Sequence, residues 1–187
     1  DDWTLRLWDG CSGEVLSTLE GHTARVCGAT VLPDERILSW SWDNTLRLWN
    51  GESGEGLATL GGHTGRVRGA TVVADGRILS WSWDNTLRFW DGASGEALAT
   101  LEGHTAPISG VTVLLDQRII SWSDDKTVRI WDADTTLCSK VLRGHTGPLG
   151  GGLIVDGNRL LTWVSGYGDC DTNLRVWDLD TGQCIGV

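Results

Sequence analysis

The stretch GHTGRVRGATVVADGRILSWSWDNTLRFWD, residues 62–91, carries the pattern from which the fold of this chain can be inferred. Nearly the same stretch occurs one copy earlier, because residues 21–60 and 62–101 differ at only nine of 40 positions. Tryptophans followed by Asp or Asn recur every 41 residues, and a fifth follows after 46 residues. These tryptophans are Trp8, Trp49, Trp90, Trp131 and Trp177. A period of this length indicates one small structural unit copied in tandem.

Each copy has the pattern of four short strands joined by polar turns. In the copy at residues 21–61, the predicted strands are Val26 to Leu32, Arg36 to Trp42, Thr45 to Trp49 and Glu55 to Leu60. Polar turn residues separate these runs, such as the pair Asp43-Asn44, which is typical of a tight hairpin turn. No stretch has a helical period. The pattern therefore predicts an all-β chain made of four-stranded antiparallel sheets.

Composition and charge argue against several classes of partner. The 187 residues include 25 acidic and 15 basic side chains, which leaves a formal net charge of −10. Such a charge disfavours general attraction to nucleic acid or to an anionic membrane. The sequence has no run of about 18 apolar residues that could span a bilayer. The five cysteines have no paired or CxxC spacing, which is typical of thiols in a reducing compartment, so we expect a cytoplasmic location.

The repeated residues resemble those of a known family. A Gly-His pair followed by Ile-Leu-Ser-x-Ser-x-Asp-x-Thr-Leu-Arg-Leu-Trp-Asp is similar to the WD-repeat (WD40) β-propeller family, and the similarity covers essentially the whole chain. It implies blades of four strands arranged radially around a channel. We expect one segment of about four and a half blades from a larger ring, with self-association through open blade edges as the alternative. The expected parts are a half blade at 1–20 and repeats at 21–61, 62–102, 103–143 and 144–187.

Every full repeat holds a His, a Ser or Thr, an Asp and a Trp at matching positions. The resemblance implies that these side chains form a buried chain of hydrogen bonds, from indole to hydroxyl to imidazole to carboxylate. The sets are His22, Ser39, Asp43 and Trp49; His63, Ser80, Asp84 and Trp90; His104, Ser121, Asp125 and Trp131; and His145, Thr162, Asp171 and Trp177. Trp8 is expected to anchor the same network in the half blade.

A catalytic Ser-His-Asp triad is the alternative interpretation of these residues. A catalytic centre has no reason to occur four times, and no GxSxG motif accompanies the serines. We therefore expect a structural network and no enzyme. Metal sites are not predicted either. Asp169-x-Asp171-x-Asn173 is similar to the start of a calcium loop, but Leu174 replaces the required Gly. One His per blade is too far from the next for a shared zinc site. No cofactor is expected.

The repeats differ where a partner is expected to dock. The resemblance implies a binding face formed by the Gly-His turns and the turns between the second and third strands. Three positions per repeat contribute: Arg25, Cys27 and Trp42; Arg66, Arg68 and Trp83; Pro107, Ser109 and Asp124; and Pro148, Gly150 and Cys170. Arg and Trp are enriched in binding hot spots, and the guanidinium suits carboxylate and phosphate groups. The predicted partner-binding residues are Arg25, Trp42, Arg66, Arg68, Trp83 and Asp124, and the predicted partner is an acidic or phosphorylated peptide.

Other interpretations stay open. The same Arg side chains could pair with nearby acids, and Trp42 and Trp83 could pack on neighbours. A quinoprotein-like propeller enzyme would need ligating residues in one blade only, whereas here the polar residues repeat. A purely structural array would have a uniform rim. A further tryptophan in the second strand of each repeat is expected to pack between blades; these are Trp40, Trp81, Trp122 and Trp163. An insertion at residues 164–170 lengthens the last turn on the binding face.

Overall fold

The computed structural model describes residues 2–165 and 174–187, and all the regular structure in these residues is β. The prediction of an all-β chain of four-stranded antiparallel sheets is confirmed. The strands are β1 (Leu5–Trp8), β2 (Val15–Leu19), β3 (Val26–Val31), β4 (Ile37–Ser41), β5 (Thr45–Trp49), β6 (Gly56–Gly61), β7 (Val67–Val72), β8 (Ile78–Ser82), β9 (Leu87–Trp90), β10 (Ala97–Leu101), β11 (Ile108–Val113), β12 (Arg118–Ser123), β13 (Thr127–Asp132), β14 (Cys138–Arg143), β15 (Leu149–Asp156), β16 (Arg159–Val164), β17 (Arg175–Asp178) and β18 (Cys184–Gly186).

Strands that follow one another in the chain lie side by side in each sheet. Four sheets have four strands each, namely β3 to β6, β7 to β10, β11 to β14 and β15 to β18, and β1 and β2 form a two-stranded sheet. The turn between the second and third strands has three residues, Trp42 to Asn44, rather than the two predicted. The extra residue is needed because Asn44, at φ 70°, adopts the left-handed conformation that closes a three-residue hairpin loop.

The Asp or Asn after each repeated tryptophan shapes the turn between the third and fourth strands. Asn50 Oδ1 accepts hydrogen bonds from the backbone N–H groups of Glu52 and Ser53, at 2.9 and 2.8 Å. Gly54 follows at φ 75°, and its N–H donates to the Asn50 carbonyl over 2.9 Å. A short side-chain acceptor at this position therefore takes the place of a backbone turn, which is a known property of Asn and Asp.

The chain divides into two compact units. The first contains residues 2–84 and 88–99, and the second contains residues 85–87, 100–165 and 174–187. In the first unit, Leu38, Leu46 and Leu60 of one sheet form a buried cluster with Val67 and Ile78 of the next sheet. Alternation of side chains along each strand turns these residues to one face, so neighbouring sheets bury them against each other. The total number of blades in a closed ring stays a prediction.

The second unit is built in the same way. Ile120 and Val128 of the sheet β11 to β14 are buried together with Leu149 and Leu160 of the sheet β15 to β18. Trp122, in the second strand of its sheet, is only 9% exposed and belongs to this cluster. In the first unit, Trp40 packs on the corresponding cluster. These two second-strand tryptophans therefore lie between sheets, as the sequence predicts for their position.

The expectation that Trp8 anchors a network stays a prediction. The sheet that contains Trp8, β1 with β2, has two strands, and the side chain of Trp8 is 56% exposed. The second strand that carries the acceptor hydroxyl in the other sheets has no counterpart in this one among residues 2–165 and 174–187.

Candidate functional site

The structure brings His22, Ser39, Asp43 and Trp49 together in one chain of contacts. Trp49 Nε1 donates to Ser39 Oγ over 2.8 Å, and the same oxygen lies 2.8 Å from His22 Nε2. His22 Nδ1 lies 2.7 Å from Asp43 Oδ2. An indole N–H can only donate, so the Ser39 hydroxyl donates its own proton to Nε2, and Nδ1–H donates to the carboxylate. Each link fixes the direction of the next.

The next two repeats place their residues at almost the same distances. In the second repeat, the distances are 2.8 Å from Trp90 to Ser80, 2.8 Å from Ser80 to His63 and 2.7 Å from His63 to Asp84. In the third repeat, they are 2.8 Å from Trp131 to Ser121, 2.7 Å from Ser121 to His104 and 2.7 Å from His104 to Asp125. In the fourth, Thr162 Oγ1 lies 2.7 Å from Trp177 Nε1 and 2.8 Å from His145 Nε2. Asp171 and Cys170 lie outside the described residues.

Burial separates these residues from any substrate. Ser39, Ser80, Ser121 and Thr162 are each 0% exposed. A catalytic nucleophile must reach the reacting atom of its substrate, so these hydroxyls are poorly placed for that role. Their position favours a structural function, in which the network joins the Gly-His turn to the second and third strands.

Asp43 accepts hydrogen bonds from the turn residues as well as from the imidazole. Asp43 accepts hydrogen bonds from the Thr23 N–H at 3.0 Å, the Thr45 N–H at 2.9 Å and the Thr45 hydroxyl at 2.7 Å. Partial burial raises the pKa of Asp43, but the hydrogen bonds from Thr45, Thr23 and His22 outweigh it and leave the pKa below its ordinary value of 3.8. Burial lowers the pKa of His22 below its ordinary value of 6.5, and the Asp43 carboxylate opposes this only in part.

These shifts predict that the first unit loses stability in acid. The pKa of His22 in the folded state lies below 6.5. Its contribution to the free energy of unfolding is therefore complete above about pH 6.5 and is lost as the pH falls. Asp43 adds a second loss of stability below about pH 4, because its pKa is also lowered in the folded state. Denaturant unfolding at pH 7.5, 5.5 and 3.5 should show two successive decreases in the free energy of unfolding. His22→Asn should reduce the first decrease, and a stability that rises from pH 7.5 to 5.5 would contradict the assignment.

The predicted binding positions of the first two full repeats meet at one end of their sheets. The Trp42 N–H donates to the Arg25 carbonyl over 2.9 Å, and the Trp83 N–H donates to the Arg66 carbonyl over 3.0 Å. These backbone bonds join the start of the first strand to the turn after the second, so each Arg lies beside a Trp. We call Arg25, Cys27, Trp42, Arg66, Arg68 and Trp83 the Arg–Trp rim.

Arginine and tryptophan side chains alternate along the Arg–Trp rim. The guanidinium carbon of Arg25 lies 5.1 Å from the Trp42 ring centroid. That of Arg66 lies 4.2 Å from the Trp42 ring and 5.0 Å from the Trp83 ring. The two indoles are themselves in contact, with centroids 6.5 Å apart and planes tilted by 34°. Arg66 therefore bridges both rings, which is a cation–π arrangement.

No acidic side chain among the described residues forms an ion pair with the arginines of the Arg–Trp rim. Within residues 2–165 and 174–187, the side chains of Arg25, Arg66 and Arg68 form no ion pair and no side-chain hydrogen bond. Burial raises the pKa of the Cys27 thiol and the Asp43 carboxylate acts in the same direction, while the positive charges of Arg25, Arg68 and Arg66 act in the opposite direction.

The remaining predicted positions lie in the second unit and differ in character. Asp124 is exposed and accepts a hydrogen bond from the Ser109 hydroxyl over 2.9 Å. The Asp124 N–H donates to the Pro107 carbonyl, and the Ser165 N–H donates to the Pro148 carbonyl, so the backbone geometry of the turn is kept. These positions carry an acid and small or apolar residues in place of Arg and Trp.

A pairing of glycine with tryptophan was missed by the sequence reasoning. Each second-strand tryptophan lies opposite a glycine of the first strand: Gly28 with Trp40, Gly69 with Trp81, Gly110 with Trp122 and Gly151 with Trp163. The indole lies directly over the glycine, since a Cβ built on Gly110 would come within 2.5 Å of Trp122 Cζ2. The signal was present, because these glycines also recur every 41 residues.

The part of the chain that the structure describes holds no helix long and apolar enough to cross a membrane. The same residues contain no group of three or more His, Cys, Asp or Glu side chains that could hold a metal ion. Cys11, Cys27, Cys138 and Cys184 are free thiols.

The chain is built from repeated four-stranded sheets. Each of them contains hydrogen bonds from Trp to Ser or Thr and from that hydroxyl to His, so the protein is an assembly of blade-like repeats. The family model for WD40, described as WD domain, G-beta repeat, matches residues 13–50, 54–91 and 95–132, and the chain belongs to this family. Proteins of this family are in general non-catalytic scaffolds that bind proteins or peptides. No curated protein is significantly similar to the chain.

Proposed function

We propose that this chain is a non-catalytic recognition module that binds an acidic or phosphorylated peptide on the Arg–Trp rim. The observation that carries the proposal is the continuous stack of Arg25, Trp42, Arg66 and Trp83, whose guanidinium groups have no acidic partner among the described residues. A peptide with acidic side chains would supply that partner.

Stacking on an indole holds a guanidinium group in place while its edge stays accessible to such a ligand. A guanidinium that lies over an indole has one face covered, while its N–H groups point outward along its edge and remain able to donate. A carboxylate or phosphate can then accept two parallel hydrogen bonds from one guanidinium. Trp83 is 42% exposed, so an apolar part of the peptide has a surface on which to pack. Arg and Trp together are the side-chain types that dominate binding energy in interfaces.

The local charge of the rim can prevail over the overall negative charge of the chain. The net charge is −10, which repels an acidic peptide at long range. At physiological ionic strength, however, screening reduces interactions beyond about 8 Å. A ligand at the rim therefore interacts mainly with Arg25, Arg66 and Arg68. Binding should weaken as salt is added, because these side chains are exposed.

A peptide array tests the proposal. Acidic, phosphorylated and neutral versions of each peptide are probed with wild-type chain, Arg66→Glu and Trp83→Ala. Both substitutions should weaken binding of the acidic and phosphorylated peptides at least tenfold, since a hydrogen bond to a charged group contributes about 1.5–3 kcal/mol and truncation of a hot-spot tryptophan costs about 2 kcal/mol. Arg143→Glu is the matched control, because Arg143 is exposed on the outer strand β14 and the charge change is the same.

Two outcomes of the peptide array would contradict the proposal. If Arg66→Glu and Trp83→Ala bind the array as the wild type does, the Arg–Trp stack only packs against itself and the proposed binding face is wrong. Equal loss in Arg143→Glu would show that the effect is one of net charge rather than of this surface.

A further inference from the structure

The Arg–Trp rim combines a cluster of cations with exposed aromatic surface. Arg25 and Cys27 belong to one sheet, and Arg66 and Arg68 occupy the equivalent positions of the next. The guanidinium carbons of Arg25 and Arg66 lie 5.1 and 4.2 Å from the Trp42 ring centroid, and Arg68 is exposed two residues after Arg66. A single carboxylate carries one negative charge. A phosphate monoester carries about −1.5 to −2 at pH 7 and has three acceptor oxygens, which suits three donors better.

The aromatic part of the rim selects among phosphate esters. Trp83 is 42% exposed, and it borders Arg66 at 5.0 Å. The phosphate of an aliphatic ester would engage the arginines but leave the indole uncovered. An aryl phosphate carries its own ring next to the phosphate, so that the ring can stack on Trp83 while the oxygens reach Arg66. Aromatic pairs prefer such offset or tilted contacts.

From these two features we infer that the rim binds an aryl phosphate, as in a phosphotyrosine side chain, in preference to an aliphatic phosphate or a carboxylate. This inference rests on the proposed function, because it names the chemical group that the same surface recognises. Arg25, Arg66 and Arg68 hold the phosphate, and Trp83 with Trp42 provides the surface for the ring.

Small probes test the chemistry without a known peptide. The ¹⁵N-labelled chain is titrated with phenyl phosphate, inorganic phosphate, phosphoserine and benzoate, while the indole N–H signals of Trp42 and Trp83 are followed by NMR. Substitutions Trp42→Phe and Trp83→Leu assign the two signals. Phenyl phosphate should bind about fivefold more tightly than inorganic phosphate or phosphoserine, which is the factor that one aromatic contact contributes. Benzoate should bind more weakly than phenyl phosphate.

Three variants separate the two halves of the surface. Trp83→Leu should bring phenyl phosphate to the affinity of inorganic phosphate and leave inorganic phosphate unchanged. Arg66→Gln should weaken both probes at least tenfold, and Arg143→Gln should weaken neither.

Equal affinity for phenyl and inorganic phosphate would overturn the inference, and so would a preference that survives Trp83→Leu. If acidic peptides still bind through Arg66 in that case, the proposed function stands and only the aryl phosphate is excluded. If neither the probes nor the peptides bind, both proposals fail.

Discussion

His63→Ala is expected to lower the free energy of unfolding by about 3 kcal/mol. The substitution removes the link between Ser80 and Asp84, which lie 2.8 and 2.7 Å from the imidazole. Ser80 is fully buried, so no solvent replaces the lost partner. Because a kcal/mol corresponds to about 2–4 °C in a chain of this size, the melting temperature should fall by about 9 °C. Thermal and denaturant unfolding, followed by circular dichroism, measure the effect.

Two further variants show that the loss comes from the network. Ser80→Ala in the His63→Ala background should add much less than it does alone, since residues in one hydrogen-bond chain are coupled. Thr64→Ser, at an exposed neighbouring position, should change stability by less than about 0.5 kcal/mol. A His63→Ala variant that melts as the wild type does but has lost a hydrolytic activity would instead make these residues catalytic.

Gly110→Ala is expected to destabilise the second unit by about 2–3 kcal/mol. The new Cβ would meet Trp122 at 2.5 Å, and Trp122 cannot move aside, because it is 9% exposed and packed with Leu149 and Leu160. Denaturant unfolding of the variant and the wild type, analysed with the same m value, gives the difference in the free energy of unfolding.

The same unit contains a matched control for this prediction. A Cβ on Gly151 would approach Trp163 even more closely, at 2.0 Å, but Trp163 is 38% exposed. An indole that can turn into solvent relieves the overlap, so Gly151→Ala should have at most half the effect of Gly110→Ala. If both substitutions destabilise equally, or if Gly110→Ala is neutral, the indole does not restrict the glycine.

The strands could be predicted almost entirely from residues near one another in the chain. The predicted strand from Val26 to Leu32 is observed as Val26–Val31, and the strand from Thr45 to Trp49 is observed without change. Side chains that alternate between two faces leave a period of two in the sequence, and polar turns end each run. The turn at Trp42 to Asn44 was the exception, since its length depends on the left-handed conformation of Asn44.

The candidate site was only partly predictable. Resemblance to the family named the positions of the Arg–Trp rim, but it left two interpretations of Arg66, either an ion pair with an acid or an exposed binding residue. In the structure Arg66 is exposed and forms no ion pair among the described residues, and it lies over both Trp42 and Trp83. The neighbours that a long side chain contacts include residues one repeat away. A sequence pattern within one repeat does not show which of them it contacts.

The spacing of 41 residues was sufficient to establish a repeated four-stranded unit, because backbone alternation and turn chemistry act between neighbours in the chain. It was not sufficient to show that Gly110 leaves room for Trp122, or that Arg66 lies over two indole rings. Those facts concern contacts across strands and between sheets. Burial and close packing arise only when separate segments come together, so the spacing alone does not show that Trp49 is buried.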